Sequence, residues 1–207
     1  MKKCSSASMG REYQINSDSS IWNDFIKGDD LAFRLIYKLH VQPLFKYGCH
    51  FTHDEALVKD SIHDVFIDLS RYRSTLGPTN NIKLYLFKSL KRKIIGSLTK
   101  AQNLGILDPE RLQFHYTLSV EEEIVKSEFE LQQTRQLKKA MLTLSPRQKE
   151  AIYLKFVSDL SYEEIGKLMD LNYQSARNLV FRGLEKLRES YPKNGLLFFL
   201  LNKSEKE

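Results

Sequence analysis

In the C-terminal half three serines at the heads of helical stretches are each followed three residues later by Glu or Gln: Ser119 with Glu122, Ser145 with Gln148, and Ser161 with Glu164. This is the capping box, in which the hydroxyl accepts from the backbone N–H three residues on while the longer side chain reaches back to the serine N–H. Each occurrence commits the chain to starting a helix, and Pro146 adds a preset φ at a first helical position. Elsewhere apolar residues recur at helical spacing and strand-like alternation is scarce. An all-α fold is expected: two small helical domains joined by a flexible linker, within 207 residues of which 42% are apolar.

The chain divides by composition. Residues 1–18 are polar and Ser-rich, a loose lead-in. From 19 to 100 apolar stripes succeed one another. Ile21, Trp22, Phe25 and Ile26 begin the first, Gly28 interrupts it, and Asp29 or Asp30 can cap a second helix carrying Leu31, Leu35, Ile36 and Leu39. The stretch Asp54 to Tyr72 places Leu57, Val58, Ile62, Val65, Phe66 and Leu69 on one side, and its acids Asp60, Asp64 and Asp68, spaced by four, on an exposed stripe. "GPTNN", Gly77 to Asn81, breaks the pattern before "IKLYLFKSLKRKIIGSL" resumes it. Residues 101–118, with Gly105 and Pro109, read as the linker, 119–190 as a second domain and 191–207 as a tail.

Within 119–190, "YEEIGKLMD" has Ile165, Leu168 and Met169 as its inward residues, and Asn172 is a plausible N-cap for "YQSARNLVFRGLEKLR". Two short helices joined by a turn of a few residues describe a helix-turn-helix. The second helix has two faces. Ala176, Leu179, Val180, Leu184 and Leu187 line the docking side, and Gln174, Arg177, Asn178, Phe181 and Arg182 the other. Guanidiniums and amides hydrogen-bond bidentately to purine edges in the major groove, and an aromatic ring can touch a thymine methyl. Gln174 and Ser175 fall in the first turn, where helix N-termini approach phosphates and base edges.

Net charge is +6, and its distribution says more than its size. Between Leu69 and Leu107 there is no acid, while Arg71, Arg73, Lys83, Lys88, Lys91, Arg92, Lys93 and Lys100 supply eight cations, an electrostatic footprint for a polyanion. Just upstream Asp54, Glu55, Asp60, Asp64 and Asp68 face one cation, Lys59, and a further acidic cluster runs from Glu121 to Glu130. Neighbouring segments are made for different partners.

Cys4 and Cys49 give no disulfide framework and no signal peptide precedes them, so a soluble, cytoplasmic protein is expected. The longest apolar run, Leu196 to Leu201, is six residues and too short to span a bilayer, so no membrane insertion is expected. Cys49, His50, His53 and His63 lack the second cysteine pair that a structural zinc site wants. No Gly-rich phosphate loop, Ser-His-Asp order or HExxH occurs, so no metal, cofactor or catalytic centre is expected.

"LSPRQKEAIYLKFVSDLSYEEIGKLMDLNYQSARNLVFRGLEKLRE", Leu144 to Glu189, closely resembles the C-terminal domain of sigma-70 family factors of the extracytoplasmic-function group. "GDDLAFRLIYKLH", "VKDSIHDVFIDLSRYR" and "NIKLYLFKSLKRKIIGSL" are similar to successive helices of that family's other domain. The resemblance spans roughly 19–100 and 119–190, in the family's order. It implies a dissociable initiation factor that acts by binding rather than catalysis. Its partners would be the RNA polymerase core, through the largest-subunit clamp helices and the flap, promoter DNA, and an anti-sigma factor.

The resemblance assigns Asp60, His63, Asp64, Ile67 and Asp68 to core binding. It assigns Asn80, Asn81, Tyr85, Phe87, Lys88, Lys91, Arg92 and Lys93 to the −10 element and its melting, with the loop Thr75 to Asn81 receiving a flipped base. Aromatic rings stack on unstacked bases while cations hold the phosphates. Tyr85 and Phe87 are two apart, so one is expected in the core and the other facing DNA. Gln174, Ser175, Arg177, Asn178, Phe181 and Arg182 would read the −35 element.

Arg92 and Gly96 stand where the family commonly has Asn and then Asp or Asn, and His63 replaces a common Gln. "NYQSARNLVFR" is similar to the version found among Bacteroidetes-type bacteria. The alternatives are a stand-alone helix-turn-helix regulator and a DNA-silent protein that titrates polymerase or an anti-sigma factor. The tail "GLLFFLLNK" would pack on the C-terminal domain or offer an apolar edge to a partner.

Overall fold

The computed structural model describes residues 17–104, 113–115 and 138–190, and all regular structure among them is helical. Most of the N-terminal lead, the Ser119–Glu122 capping box, the Glu121–Glu130 cluster, most of the linker and the tail from 191 lie outside the described residues.

Helices α1 (Asp18–Ile26) and α2 (Asp30–Gly48) turn sharply about Gly28, whose φ of 97° is open to glycine at no steric cost. Asp29 caps α2, its carboxylate accepting from Leu31 N at 2.8 Å. α3 (Glu55–Arg71) is capped by Asp54 through Leu57 N at 3.0 Å. α4 (Ile82–Asn103) starts under two acceptors: Asn81 Oδ1 takes Leu84 N at 2.6 Å and Asp18 Oδ2 takes Ile82 N at 2.8 Å. A short 3-10 turn, Arg73–Thr75, separates α3 from α4.

These helices bury Trp22, Phe25, Ile36, Leu44, Tyr47, Val58, Leu69, Leu86, Phe87, Leu90 and Ile94. The stripe on α2 differs from the one its leucines suggest. Leu31 and Leu39 are 54% and 52% exposed, and Ala32, Ile36, Leu44 and Tyr47 face inward. Successive helix residues lie about 100° apart, so a helix apolar on two adjoining strips leaves its orientation to whatever packs on it.

The second half contains a helical segment at 138–142, then α5 (Pro146–Phe156), α6 (Tyr162–Met169) and α7 (Tyr173–Ser190). Both described capping boxes form with both bonds, Ser145 with Gln148 and Ser161 with Glu164. α7 is capped by Asn172, whose Oδ1 accepts from Ser175 N at 2.7 Å.

The two halves are packed together. The described part of the linker, 113–115, is anchored rather than free: Phe114 is 3% exposed, among the rings of Phe51, Tyr47 and Tyr153 at 5.2, 5.9 and 5.7 Å. His115 N donates to His50 O at 2.6 Å. An apolar ring in the seam gains more from burial there than a tether gains from freedom in water.

Candidate nucleic-acid interface

The turn between α6 and α7 is set by close backbone approach. Leu171 N donates to Gly166 O at 2.8 Å, and Asp170 adopts φ 54° and ψ 51°, the left-handed position that ends a helix. A Cβ on Gly166 would lie 2.7 Å from Leu171 O, so glycine is what lets α6 meet the following chain. Ile165, Leu168 and Met169 are buried as expected, and α7 docks through Ala176, Val180 and Leu187, with Leu179 and Leu184 half-buried.

That docking leaves one face of α7 outward. Gln174, Ser175, Arg177, Asn178, Phe181 and Arg182 are all exposed, Phe181 by 53%. Gln174 Nε2 donates to Asn178 Oδ1 at 3.1 Å, which links two amides one turn apart. Among the described residues neither Arg177 nor Arg182 is ion-paired, and Glu185 is bonded to neither. Tyr173, which the sequence reading left out, opens this helix at 51% exposure. Its place in the first turn of a helix already read as DNA-facing was the available signal.

The basic helix is arranged differently. Phe87 is 1% exposed and stacked on Tyr47 at 4.7 Å, so it belongs to the core and does not face DNA. Tyr85 is half-buried with its ring edge-on to Trp22 at 5.1 Å. Trp22 Nε1 donates to Gly77 O at 3.0 Å, pinning the loop that leads to Asn80 and Asn81. Asn80 and Arg92 are exposed. Asn81 donates through Nδ2 to Glu164 of α6.

Three of the expected DNA cations are occupied. Lys88 Nζ donates to Lys167 O at 3.1 Å, Lys91 Nζ sits 2.6 Å from Glu150 Oε1, and Lys93 Nζ sits 2.7 Å from Asp68 and 4.0 Å from Asp64. The acidic stripe is therefore exposed at Asp60 and Asp64 but half-buried and paired at Asp68. His63 is exposed and Ile67 is 40% exposed on the same helix.

Glu150 was not singled out in the sequence, though an acid inside the buried run of α5 was a signal. It is 5% exposed and accepts from Tyr47 Oη at 2.7 Å as well as from Lys91. Burial, and then the adjoining carboxylate, push the Tyr47 hydroxyl well above its usual range, so it donates and stays neutral. His40 and His115 are both held below the ordinary histidine value, chiefly by burial. Among the described residues no group of His, Cys, Asp and Glu is placed to hold a metal ion, and no helix is long and apolar enough to cross a membrane.

A helix-turn-helix with an outward polar face, in a chain whose other half carries a basic helix, is an arrangement suited to binding nucleic acid. The model of the family "Sigma-70, region 4" matches residues 134–187, which contain the whole of the helix-turn-helix. RNA polymerase sigma factor SigZ of Bacillus subtilis (strain 168) is 26% identical over 148 residues, 72% of this chain and 80% of the relative. SigV of the same organism is 28% identical over 145 residues, 69% of this chain and 80% of the relative.

The helical arrangement is shared with solved structures. Sigma factor RpoE from Bartonella quintana, in complex with the anti-sigma factor NepR, superposes with a TM-score of 0.55 at 20% identity, over 76% of this chain and 94% of that one. CnrH, in complex with the cytosolic domain of CnrY, gives 0.56 at 16%, over 84% and 96%. The chain is therefore similar to the sigma-70 region 4 family over residues 134–187 and to two Bacillus subtilis sigma factors over about 70% of its length.

Proposed function

We propose that this protein directs bacterial RNA polymerase core to a specific set of promoters by two separate surfaces, residues 19–100 binding core and the −10 element and residues 119–190 reading the −35 element. The observation that carries the reading is α7: its apolar side is locked onto α5 and α6 while its amides, guanidiniums and Phe181 ring all point outward. In the major groove Asn178 and Gln174 would take purine edges and Arg177 and Arg182 phosphates or guanine, with Tyr173 adding a contact at the first turn.

The outer side of α3 suits a protein partner rather than DNA. Asp60 and Asp64 repel phosphate, and Ile67 offers apolar area beside His63. Core polymerase is assigned to this side. Tyr85, Arg92 and the loop through Asn80 serve the −10 element, with Lys88, Lys91 and Lys93 joining once their present partners are released. Sigma factors are not enzymes, and phosphodiester synthesis belongs to the polymerase. A relative solved with an anti-sigma factor supports assigning this chain a protein inhibitor of that kind.

The test is transcription in vitro with core polymerase of the source organism, this protein and fragmented genomic DNA, with mapping of RNA 5′ ends. New starts that share two upstream elements at a fixed spacing are expected. Core binding without any new start would replace this reading with that of a protein that titrates polymerase.

A further inference from the structure

Asp18 and Trp22 stand four apart on α1 and so share one face of it. From that face Asp18 Oδ2 accepts from the N–H of Ile82, the first residue of α4, at 2.8 Å, and Trp22 Nε1 donates to Gly77 O in the preceding loop at 3.0 Å. The Trp22 ring meets Tyr85 edge-on at 5.1 Å. Past the end of α1, the guanidinium of Arg73 lies against Gly28, where a Cβ would come within 3.4 Å of it. α1 and its exit thus touch the stretch 73–85 at its start, its middle and its end.

The loop's own bonds are short-range. Among the described residues, Leu76 N donates to Arg73 O at 3.3 Å, and Thr79 Oγ1 accepts from Asn81 N at 3.2 Å and donates to Asn81 O at 3.3 Å. Gly77, Pro78 and Asn80 are exposed, and a Cβ on Gly77 would meet nothing within 4 Å. Loops with few buried contacts sit at the low end of local stability, so the bond from Trp22 sets where this one lies. Trp22 is 1% exposed, with the Phe25 ring 5.5 Å from its own. Burial accounts for an aromatic ring at this position, and phenylalanine would satisfy it. The indole adds a donor that a buried site must direct to a partner, and the partner is the loop.

Resting on the sigma-factor reading, we infer that Trp22 is a positioning residue for the −10 element, holding the loop through Gly77 and the Tyr85 ring by direct contact so that the two receive one unstacked base together. Asp18 fixes the start of α4 between them. A site whose parts are ordered before the strand arrives gives up less conformational freedom on binding, so affinity for a single strand, and not for duplex, depends on Trp22.

The test uses the full chain. Trp22 is its one tryptophan, so intrinsic tryptophan emission reports on this site alone. An oligo-dT single strand should change that emission as it binds. With fluorescein-labelled strands and anisotropy, Trp22→Phe should bind oligo-dT about two- to tenfold more weakly, the factor that one neutral hydrogen bond is worth, with affinity for a mixed-sequence duplex and circular dichroism both at wild-type values. Tyr85→Leu should weaken oligo-dT binding too, and the double substitution should weaken it little further than the worse single one, because loop and ring hold the base as a unit.

No binding of oligo-dT, binding that leaves Trp22 emission unchanged, unaltered oligo-dT affinity in Trp22→Phe, equal weakening of single-strand and duplex binding, or additive effects of Trp22→Phe and Tyr85→Leu would overturn the inference. Transcription with core separates the two readings. Wild type that starts transcripts, with Trp22→Phe unchanged in single-strand affinity, removes the positioning role alone; the expected emission change and coupling, with no transcripts from any form, remove the sigma-factor reading alone.

Discussion

Gln174 Nε2 donates to Asn178 Oδ1 across one turn of α7, at 3.1 Å, on a face with no ion pair among the described residues. The bond holds the Asn178 amide in one orientation before any DNA arrives, leaving its own NH2 group to donate outward. Asn178→Ala should relax preference at one −35 position by about 1–3 kcal/mol, and Arg177→Ala should weaken all promoters alike. Binding to a panel of single-base promoter variants separates them. Equal effects of both substitutions on every sequence would remove the reading role of Asn178.

Gly166→Ala should impair the helix-turn-helix more than a surface substitution does. Its Cβ would meet Leu171 O at 2.7 Å, and that oxygen belongs to backbone with no rotamer to yield. Overpacking of this kind costs about 1–3 kcal/mol. Urea unfolding should show the loss together with weaker −35 binding, and a variant as stable as wild type would show that the turn can shift.

Lys93 lies 2.7 Å from Asp68, so a cation expected to face DNA is tied to a carboxylate expected to face polymerase. The side chains are 30% and 43% exposed, which screens the pair and limits its worth to about 0–1 kcal/mol. Asp68→Asn should leave thermal stability nearly unchanged, weaken core binding and free Lys93 for phosphate. Core affinity and oligo-dT affinity, measured on the same preparation, should move in opposite directions.

Acidification should destabilise the fold through His40. Burial, opposed by Asp18 and reinforced by Lys83, lowers its folded pKa below the 6.5 of the free side chain. The neutral ring's contribution is complete above the unfolded value and is lost as pH falls from there through the lowered folded value, because the unfolded chain then binds the proton more readily. His115 is lowered in the same sense, by burial and then His53 and Lys149. The melting temperature should fall between about pH 7 and pH 5, and His40→Gln should flatten that slope. A wild-type slope retained in full by the variant would shift the effect to His115.

Local chemistry was legible in the sequence because it acts over three or four residues. The described capping boxes, the Asp29, Asp54 and Asn172 caps and the inward set of α6 depend on neighbours along the chain, and each formed where its residues stand. The outward face of α7 was equally readable, since one apolar stripe of small and branched residues leaves only one way for the helix to dock.

Packing between distant segments was not written that way. Phe87 and Tyr85 share a composition and differ in burial because Tyr47 stacks on one while the other meets Trp22 from α1, partners about 40 and 60 residues away along the chain. Leu31 and Leu39 look like core until α1, α3 and α4 choose the adjoining strip of α2. The greatest difference is at Lys91. In sequence it is one cation in a basic run; in the fold a carboxylate 59 residues away, a tyrosine hydroxyl and a wall of aromatic rings take it out of water. Periodicity determined which residues make helices, and burial, which depends on what comes to lie opposite, determined which of their charges are free to act.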